Sequence, residues 1–279
     1  MGNSRSDKTS APEQLLPLLE IPCPDTLPAL MAYGGKLELA DKEALLQEIE
    51  QLEPWGGYGI QLRPGIITAR EHSLVARNRL IFRSHLITGT LEQLLGAGLR
   101  DVSVIDLACN HGYFALEAAY LGASTVHGCD LRAANIAKAE FLKDYFGIKN
   151  VSFTTGDVYD LKGLAPADVV YNLGLFYHVT DPWRLMQLTY DLCTEFAVID
   201  SIMHLDARAG FELRVCKDNT SHSEGAHVVE LQPTYRAMIE LMRAVGFRDI
   251  REVAAREADD KLPHHLYDTR QRRCLIGFK

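Results

Sequence analysis

Apolar and polar positions along the chain follow two rhythms that meet near residue 100. Before that point, apolar residues recur at helical spacing in separated stretches. "ADKEALLQEIEQLEP" offers Asp41 as an N-cap and an apolar stripe at Leu45, Ile49 and Leu52, ended by Pro54. "WGGYGIQLRPGIIT" is too glycine-rich for a helix and alternates enough for a short hairpin or lid. "SLVARNRLIFRSHLITGTLEQLLGAGL" then resumes helical spacing.

After residue 101 short β-rich runs alternate with helical ones. "VSVIDLA", "STVHGCD", "VSFTTGD", "ADVVYNLG" and "EFAVIDSI" read as strands, and "GYFALEAAYLG", "AANIAKAEFLKDYFG" and "PWRLMQLTYDLC" as helices between them. A helix over "PTYRAMIELMRAVGF", capped by Thr234, and closing strands in "RDIREV" and "RRCLIGFK" follow. The pattern predicts an α/β fold: a Rossmann-like, seven-stranded, mostly parallel sheet with helices on both faces, plus an N-terminal helical extension. Residues 1–13 are expected to be disordered, 14–100 to form a helical and lid-like region, and 101–279 the main domain.

Composition narrows the partners. At 279 residues and 47% hydrophobic content the chain can bury a sizeable core. A net charge of -8 argues against a nucleic-acid backbone as the main partner, although a local basic groove survives on an acidic protein. Six cysteines lie far apart with no C-x-x-C pair, which points to a reduced, cytoplasmic protein. No run approaches the roughly 20 apolar residues that span a bilayer, and "MGNSRSDKTSAPEQ" lacks the apolar core of a signal peptide. No membrane association is expected. His264 and His265 resemble a metal pair only by adjacency, so no metal is expected.

In open α/β sheets, ligands sit beyond the carboxyl ends of the strands, where strand order reverses. The first strand ends at Asp106 in "DLACNHG", the second at Asp130, the third at Asp157 and the fourth in "NLGLFYHVTDP". Asp130 is placed to accept hydrogen bonds from ribose hydroxyls, and Asp157 to reach an adenine amino group. A dinucleotide site wants G-x-G-x-x-G for close approach to a pyrophosphate. Here the turn reads A-x-N-x-G, with Ala108, Asn110 and Gly112. Asn110 holds a left-handed backbone cheaply, so the turn survives while intimacy with an anion is lost. A ligand bearing an amino acid and a ribose but no phosphate fits better.

The ordered segments "VIDLACNHGYF", "VHGCDLR", "TTGDVYDL" and "ADVVYNLGLFYHVTDPWRLMQL" resemble the four motifs of the class I S-adenosylmethionine-dependent methyltransferases, over about Val102 to Phe247. "GLFYHVTDPWRLMQL" and the upstream "WGGYGIQLRPGIIT" are similar to a narrower group, which includes bacterial enzymes that carboxymethylate hydroxyuridine at the tRNA wobble position. The resemblance implies S-adenosylmethionine as cofactor. Asp106 and the backbone from Ala108 to Gly112 would hold its methionine end and Asp130 its ribose. Leu131, Arg132, Asp157 and Val158 would surround the adenine. Asn172, Leu173 and Gly174 would line the sulfonium side, with Tyr177 and His178 facing the acceptor.

Methyl transfer is an in-line displacement at an activated carbon, so the protein mainly aligns the nucleophile and excludes water. His178 is the candidate base, because imidazole titrates near working pH. Tyr177 or Tyr171 would orient the acceptor or meet the sulfonium through ring electrons. Arg63, Arg70, Arg77, Arg79 and Arg83 read as a solvated helix face or as a site for an anionic substrate. The segment from His204 to Thr234 has few helix or strand signals but many donors, and reads either as a specificity loop or as a solvent-facing insertion. With Tyr58 and Arg63 on a second flap, His204 and Arg214 are the candidate substrate contacts, Arg214 suiting a carboxylate.

The leading expectation is methylation of a small molecule. Two alternatives use the same fold: a tRNA acceptor, or use of the 3-amino-3-carboxypropyl group, by transfer or by cyclisation to azetidine-2-carboxylate with release of methylthioadenosine. In the cyclisation the cofactor is its own substrate. A non-catalytic binding module ranks last, because such a chain need not keep both Asp130 and Asp157. A homodimer stays open.

Overall fold

The computed structural model of the chain describes residues 15–34, 42–56, 59–68, 73–96, 98–161, 163–215, 228–257 and 264–279. In chain order the elements before residue 100 are β1 (Leu18–Ile21), α1 (Ala29–Tyr33), α2 (Lys42–Gln51), β2 (Gln61–Arg63), β3 (Ile66–Ile67) and α3 (Ser73–Leu95). Then come β4 (Ser103–Leu107), α4 (Tyr113–Tyr120), β5 (Thr125–Asp130), α5 (Ala133–Phe146), β6 (Val151–Thr155) and β7 (Ala167–Leu173). The chain closes with α6 (Pro182–Asp191), β8 (Cys193–Ile202), β9 (Phe211–Val215), β10 (Val229–Pro233), α7 (Tyr235–Val245), β11 (Asp249–Ala255), α8 (His265–Asp268) and β12 (Arg272–Phe278). Single 3-10 turns cover Val158–Asp160 and Phe176–His178.

The central sheet has eight strands in the order β1-β11-β12-β8-β7-β4-β5-β6. The expected seven are all present. The eighth is β1, from a stretch read as helical or irregular, which pairs parallel with β11. Its four residues are too few to show a period, and pairing to a ready sheet edge decides their conformation. Strand β12 runs antiparallel to both β8 and β11; every other pair in this sheet is parallel. The stretch from His204 to Thr234, expected to lack regular structure, contributes the hairpin of β9 and β10. Gln61–Arg63 and Ile66–Ile67 form the expected short hairpin. Asp41, proposed as a cap, lies outside the described residues, and α2 buries the expected Leu45 and Ile49.

Strands covered on both sides need apolar residues at every position, and the side-chain period of two divides them between two cores. Val104, Val126, Val169, Tyr171 and Val198 face α3, α4 and α5. Ile105, Leu107, Cys129, Val170 and Ile199 face α6 and α7. The first core also takes in α1, α2 and Trp55, so the N-terminal segments lie against one face of the sheet. Polar ties hold them there: the Tyr145 hydroxyl donates to the carbonyls of Gly34 and Leu62, and Lys138 donates to the carbonyl of Pro54.

One member of the supposed solvated arginine face is buried instead. Arg83, 1% exposed, points from α3 to the end of β8, where Asp200 Oδ1 accepts from its Nη2 at 2.8 Å and from Arg272 Nε at 2.7 Å. The Tyr267 hydroxyl donates to the other oxygen. Burial would raise the Asp200 carboxyl, but Arg272 and Arg83 outweigh it and hold it below the ordinary range. Among the described residues no helix is long and apolar enough to cross a membrane, and no group of three or more His, Cys, Asp or Glu is placed to hold a metal ion.

Replacing Asp200 by Ala leaves two buried guanidiniums facing each other without the carboxylate between them. The expected outcome is a loss of about 3–5 kcal/mol of stability, read from denaturant midpoints. A loss below about 1 kcal/mol would mean that the cluster is solvated.

Candidate functional site

Strand order reverses between β4 and β7, and the crevice at their carboxyl ends collects most of the strand-end residues. The turn after β4 is built from three left-handed residues, Ala108 (φ 59), Asn110 (φ 54) and Gly112 (φ 75). Only the last must be glycine: a Cβ there would lie 2.7 Å from the Phe153 ring and 2.8 Å from the Ala139 methyl. Asn110 recovers part of its strain, since its Oδ1 accepts from the His111 amide at 2.8 Å.

Asp130 ties this turn to the next unit. Its Oδ2 accepts from the Asn110 amide at 2.9 Å, and its Oδ1 from the Arg132 amide and the Asn135 side chain at 2.9 and 3.0 Å. An ionised carboxylate has about four acceptor positions, so about one remains for a ligand hydroxyl. Asp157 accepts from the Tyr159 amide at 2.9 Å and starts the turn that buries Val158. Leu131 is exposed and Arg132 half-buried at the rim.

Asp106 is the buried acid of the crevice. Its Oδ2 has no hydrogen-bond partner among the described residues. Burial raises its pKa to about 8; Arg83 opposes the shift and Asp130 adds to it. Asp106, Ala108, Cys109, Asn110, His111, Tyr113, Phe114 and Leu173 line a small cavity here. His111 is held neutral, its pKa pushed down to about 3 by burial and by Lys138, and its ring lies 6.3 Å from that of Trp55. Tyr171 pairs with Asp106 across the β4–β7 ladder but is sealed in the core. It sits beside Asp106 in the sheet, on the neighbouring strand. The Asn172 side chain turns to the other face of the sheet and donates to Thr189 of α6 at 3.1 Å, which leaves only its backbone at the crevice.

Beyond Gly174 (φ 92) the wall is basic. A Cβ on Gly174 would meet Arg272 Nη2 at 3.0 Å, the Tyr177 hydroxyl at 3.6 Å and Arg83 Nη2 at 3.9 Å. The His178 ring lies 4.1 Å from that of Tyr177, and its Nδ1 is 2.5 Å from Glu230 Oε1 on β10. Both side chains are nearly buried, at 13% and 11% exposure. Because an ionised carboxylate only accepts, Nδ1 carries the proton in the neutral ring and Nε2 is left as acceptor.

The proposed substrate contacts are dispersed. Arg63 on β2 stands near Tyr145 of α5, whose hydroxyl burial pushes up and Arg63 pulls down. His204 and Arg214 meet around Glu212, at 3.4 and 3.8 Å, and Arg214 also donates to Gln232. Arg214 shares the β9–β10 hairpin with Glu230, and His204 lies outside it, bridged to Thr234. Tyr58 lies outside the described residues. Sequence reasoning missed Glu230, Arg272 and Trp55, and gave Arg83 the wrong environment. Glu230 is 52 residues from His178, and only the hairpin's position against the Phe176–His178 turn brings the two together.

A family model described as a methyltransferase domain matches residues 99–275. The chain is 21% identical over 238 residues to the tRNA U34 carboxymethyltransferase of Nautilia profundicola, covering 80% of this chain and 70% of that protein. With the tRNA U34 carboxymethyltransferase of Campylobacter hominis it shares 25% over 171 residues, covering 58% of this chain and 56% of the other. Among solved structures, the N-terminal domain of EvdMO1 with S-adenosylhomocysteine bound superposes with a TM-score of 0.62 at 19% identity, covering 87% of this chain and 99% of that one. Magnesium protoporphyrin IX methyltransferase from Synechocystis gives 0.53 at 12%, covering 88% and 100%. These likenesses show a shared fold.

The crevice has a pH signature. Asp106 and Glu117, the second held by Ser84 and Tyr113, keep their protons to about 8 and about 7, mainly through burial. The unfolded chain releases them near 3.8 and 4.5. Between those limits the folded state holds more protons, so stability falls as pH rises from about 4 to about 8 and levels off above. Denaturant midpoints across this range are expected to show the decline, with a shallower slope in Asp106→Asn and Glu117→Gln. A flat wild-type profile would overturn the assignment.

Proposed function

The chain belongs to the methyltransferase-domain family, and on that premise we propose that it is an S-adenosylmethionine-dependent methyltransferase acting on a small acceptor at Tyr177 and His178. The observation that carries this reading is the His178–Glu230 pair, an imidazole oriented by a buried carboxylate at the strand end next to the Asp106 crevice. The residues present suit the cofactor. Asp106 Oδ2 is a buried oxygen without a partner among the described residues, as the site of an ammonium group requires. The A-x-N-x-G turn presents Cβ atoms where a phosphate would need bare backbone.

When bound, S-adenosylmethionine supplies a methyl group already activated on a sulfonium. Asp106 would hold the ammonium group as a carboxylate, its proton passing to solvent on binding. Asp130 would accept from a ribose hydroxyl with its remaining capacity, and Asp157 and Val158 would hold the adenine. Trp55, buried against His111 and Phe141, closes the N-terminal side and keeps water out. Tyr177 orients the acceptor, and His178 takes its proton at Nε2 while Glu230 holds the ring and supports the charge that forms.

A second reading, a tRNA acceptor, is favoured by the names of the curated relatives. Against it stand a net charge of -8 and the carboxylate of Glu230, which β10 sets against His178.

Incubation with S-adenosylmethionine and either a small-metabolite fraction or bulk tRNA separates these readings by mass spectrometry. The expected outcome is S-adenosylhomocysteine formed with the metabolite fraction. Formation with tRNA alone would favour the second reading, and methylthioadenosine released without any acceptor would overturn methyl transfer. His178→Ala is expected to lower turnover by about 10²–10⁴-fold and to leave cofactor affinity, measured by calorimetry, nearly unchanged. The reverse pattern would remove His178 from the chemistry.

A further inference from the structure

The hairpin of β9 and β10 is inverted for a surface ribbon. Opposed residues share a face, so the pairs Glu212–Gln232 and Arg214–Glu230 place all four side chains on one side. That side faces the protein, where Glu230 meets His178 and Glu212 meets His204. Phe211, Leu213 and Val215 lie on the opposite, outward side, with Leu213 at 62% and Val215 at 65% exposure. All five residues of β9 are exposed, and among the described residues β9 pairs only with β10. An exposed apolar edge is a template for another strand, and a two-stranded ribbon gains stability from more strands.

The charges on β9 select its mate. In an antiparallel pairing of β9 with itself about a twofold axis at Leu213, Glu212 opposes the partner's Arg214 and Arg214 opposes the partner's Glu212. Phe211 then opposes the partner's Val215, and the two Leu213 side chains meet at the axis. Moving the axis to residue 212 sets glutamate against glutamate, and moving it to 214 sets arginine against arginine; like charges in direct opposition destabilise a ladder. The segment is therefore self-complementary in one register, as an isologous interface requires.

We propose that β9 is a self-association edge, which pairs with β9 of a second copy to form a four-stranded antiparallel ribbon. Since β10 carries Glu230, this interface lies one strand from the His178 pair of each copy. The partner is another copy of this chain, recognised by backbone pairing and reciprocal Glu212–Arg214 contacts.

Sedimentation velocity on the full chain over a dilution series tests this, with Glu212→Lys, Arg214→Glu, the double variant and an equimolar mixture of the two single variants. The expected result is a concentration-dependent wild-type dimer, monomeric single variants, and dimers restored both in the double variant and in the mixture. The mixture is decisive, because each chain in it still lacks its own Glu212–Arg214 and Glu212–His204 or Arg214–Gln232 contacts, so regained dimer reads only charge across the interface. Circular dichroism melts confirm that the single variants are folded. A wild type monomeric at every concentration, single variants that dimerise like wild type, or a mixture that stays monomeric would each overturn the proposal.

Discussion

A carboxylate shut off from water stays ionised only if cations are brought to it, and Asp200 draws Arg83 from α3 and Arg272 from β12 onto one oxygen. The consequences reach in two directions. Towards the N-terminus, the contact pins α3 across the sheet, within the same core that takes in α1, α2 and Trp55. Towards the site, it holds two guanidiniums against Gly174, where only a residue without Cβ leaves them room at φ 92. The antiparallel insertion of β12 between β8 and β11 is what delivers Arg272 to this end of the sheet.

The same guanidinium acts unequally on two acids. Arg83 and Arg272 together overcome the cost of burying Asp200, whereas Arg83 alone does not overcome it at Asp106, which keeps its proton to about 8. A protonated acid whose Oδ2 has no partner among the described residues, next to a guanidinium cluster, is a poor end state for a folded chain and a good starting state for one that receives a cation. Asp130 makes the opposite arrangement. Its three bonds to the turn and to α5 commit most of its capacity to structure, so it positions the crevice while contributing little free affinity of its own.

What the sequence made legible is what depends on local order along the chain. Strands covered on both sides announce themselves by unbroken apolar runs, and the residue after each follows by counting; Asp106, Asp130 and Asp157 were found that way. Gly112 was legible because its turn has a fixed place after the first strand. Strand β1 was not, because its conformation is decided by the edge of β11, over 230 residues away along the chain. Arg83 could not be separated from Arg77 and Arg79 by composition, since its burial is caused by Asp200, 117 residues on. The pairing of Glu230 with His178 has no sequence signal at all: it exists only because an amphipathic hairpin presents its polar face inward.

The A-x-N-x-G turn shows where glycine is dispensable. A left-handed residue with a Cβ costs roughly 1–2 kcal/mol, and Ala108 and Asn110 both accept that cost in the same loop. Asn110 offsets it through its side chain and through the bond from its amide to Asp130. The loop is further held by the Cys109 amide donating to the Cys129 carbonyl and the Gly112 amide to the Cys109 carbonyl, both at 2.8 Å. Gly112 has no such latitude, because Phe153 and Ala139 occupy the space a methyl would need. Glycine is therefore required where the protein's own packing fills the Cβ position, and not at the two other left-handed positions of the turn. A pyrophosphate would need amides it can touch. A ligand that engaged the crevice through an ammonium at Asp106 would not need them, so Ala108 and Asn110 are compatible with such a ligand.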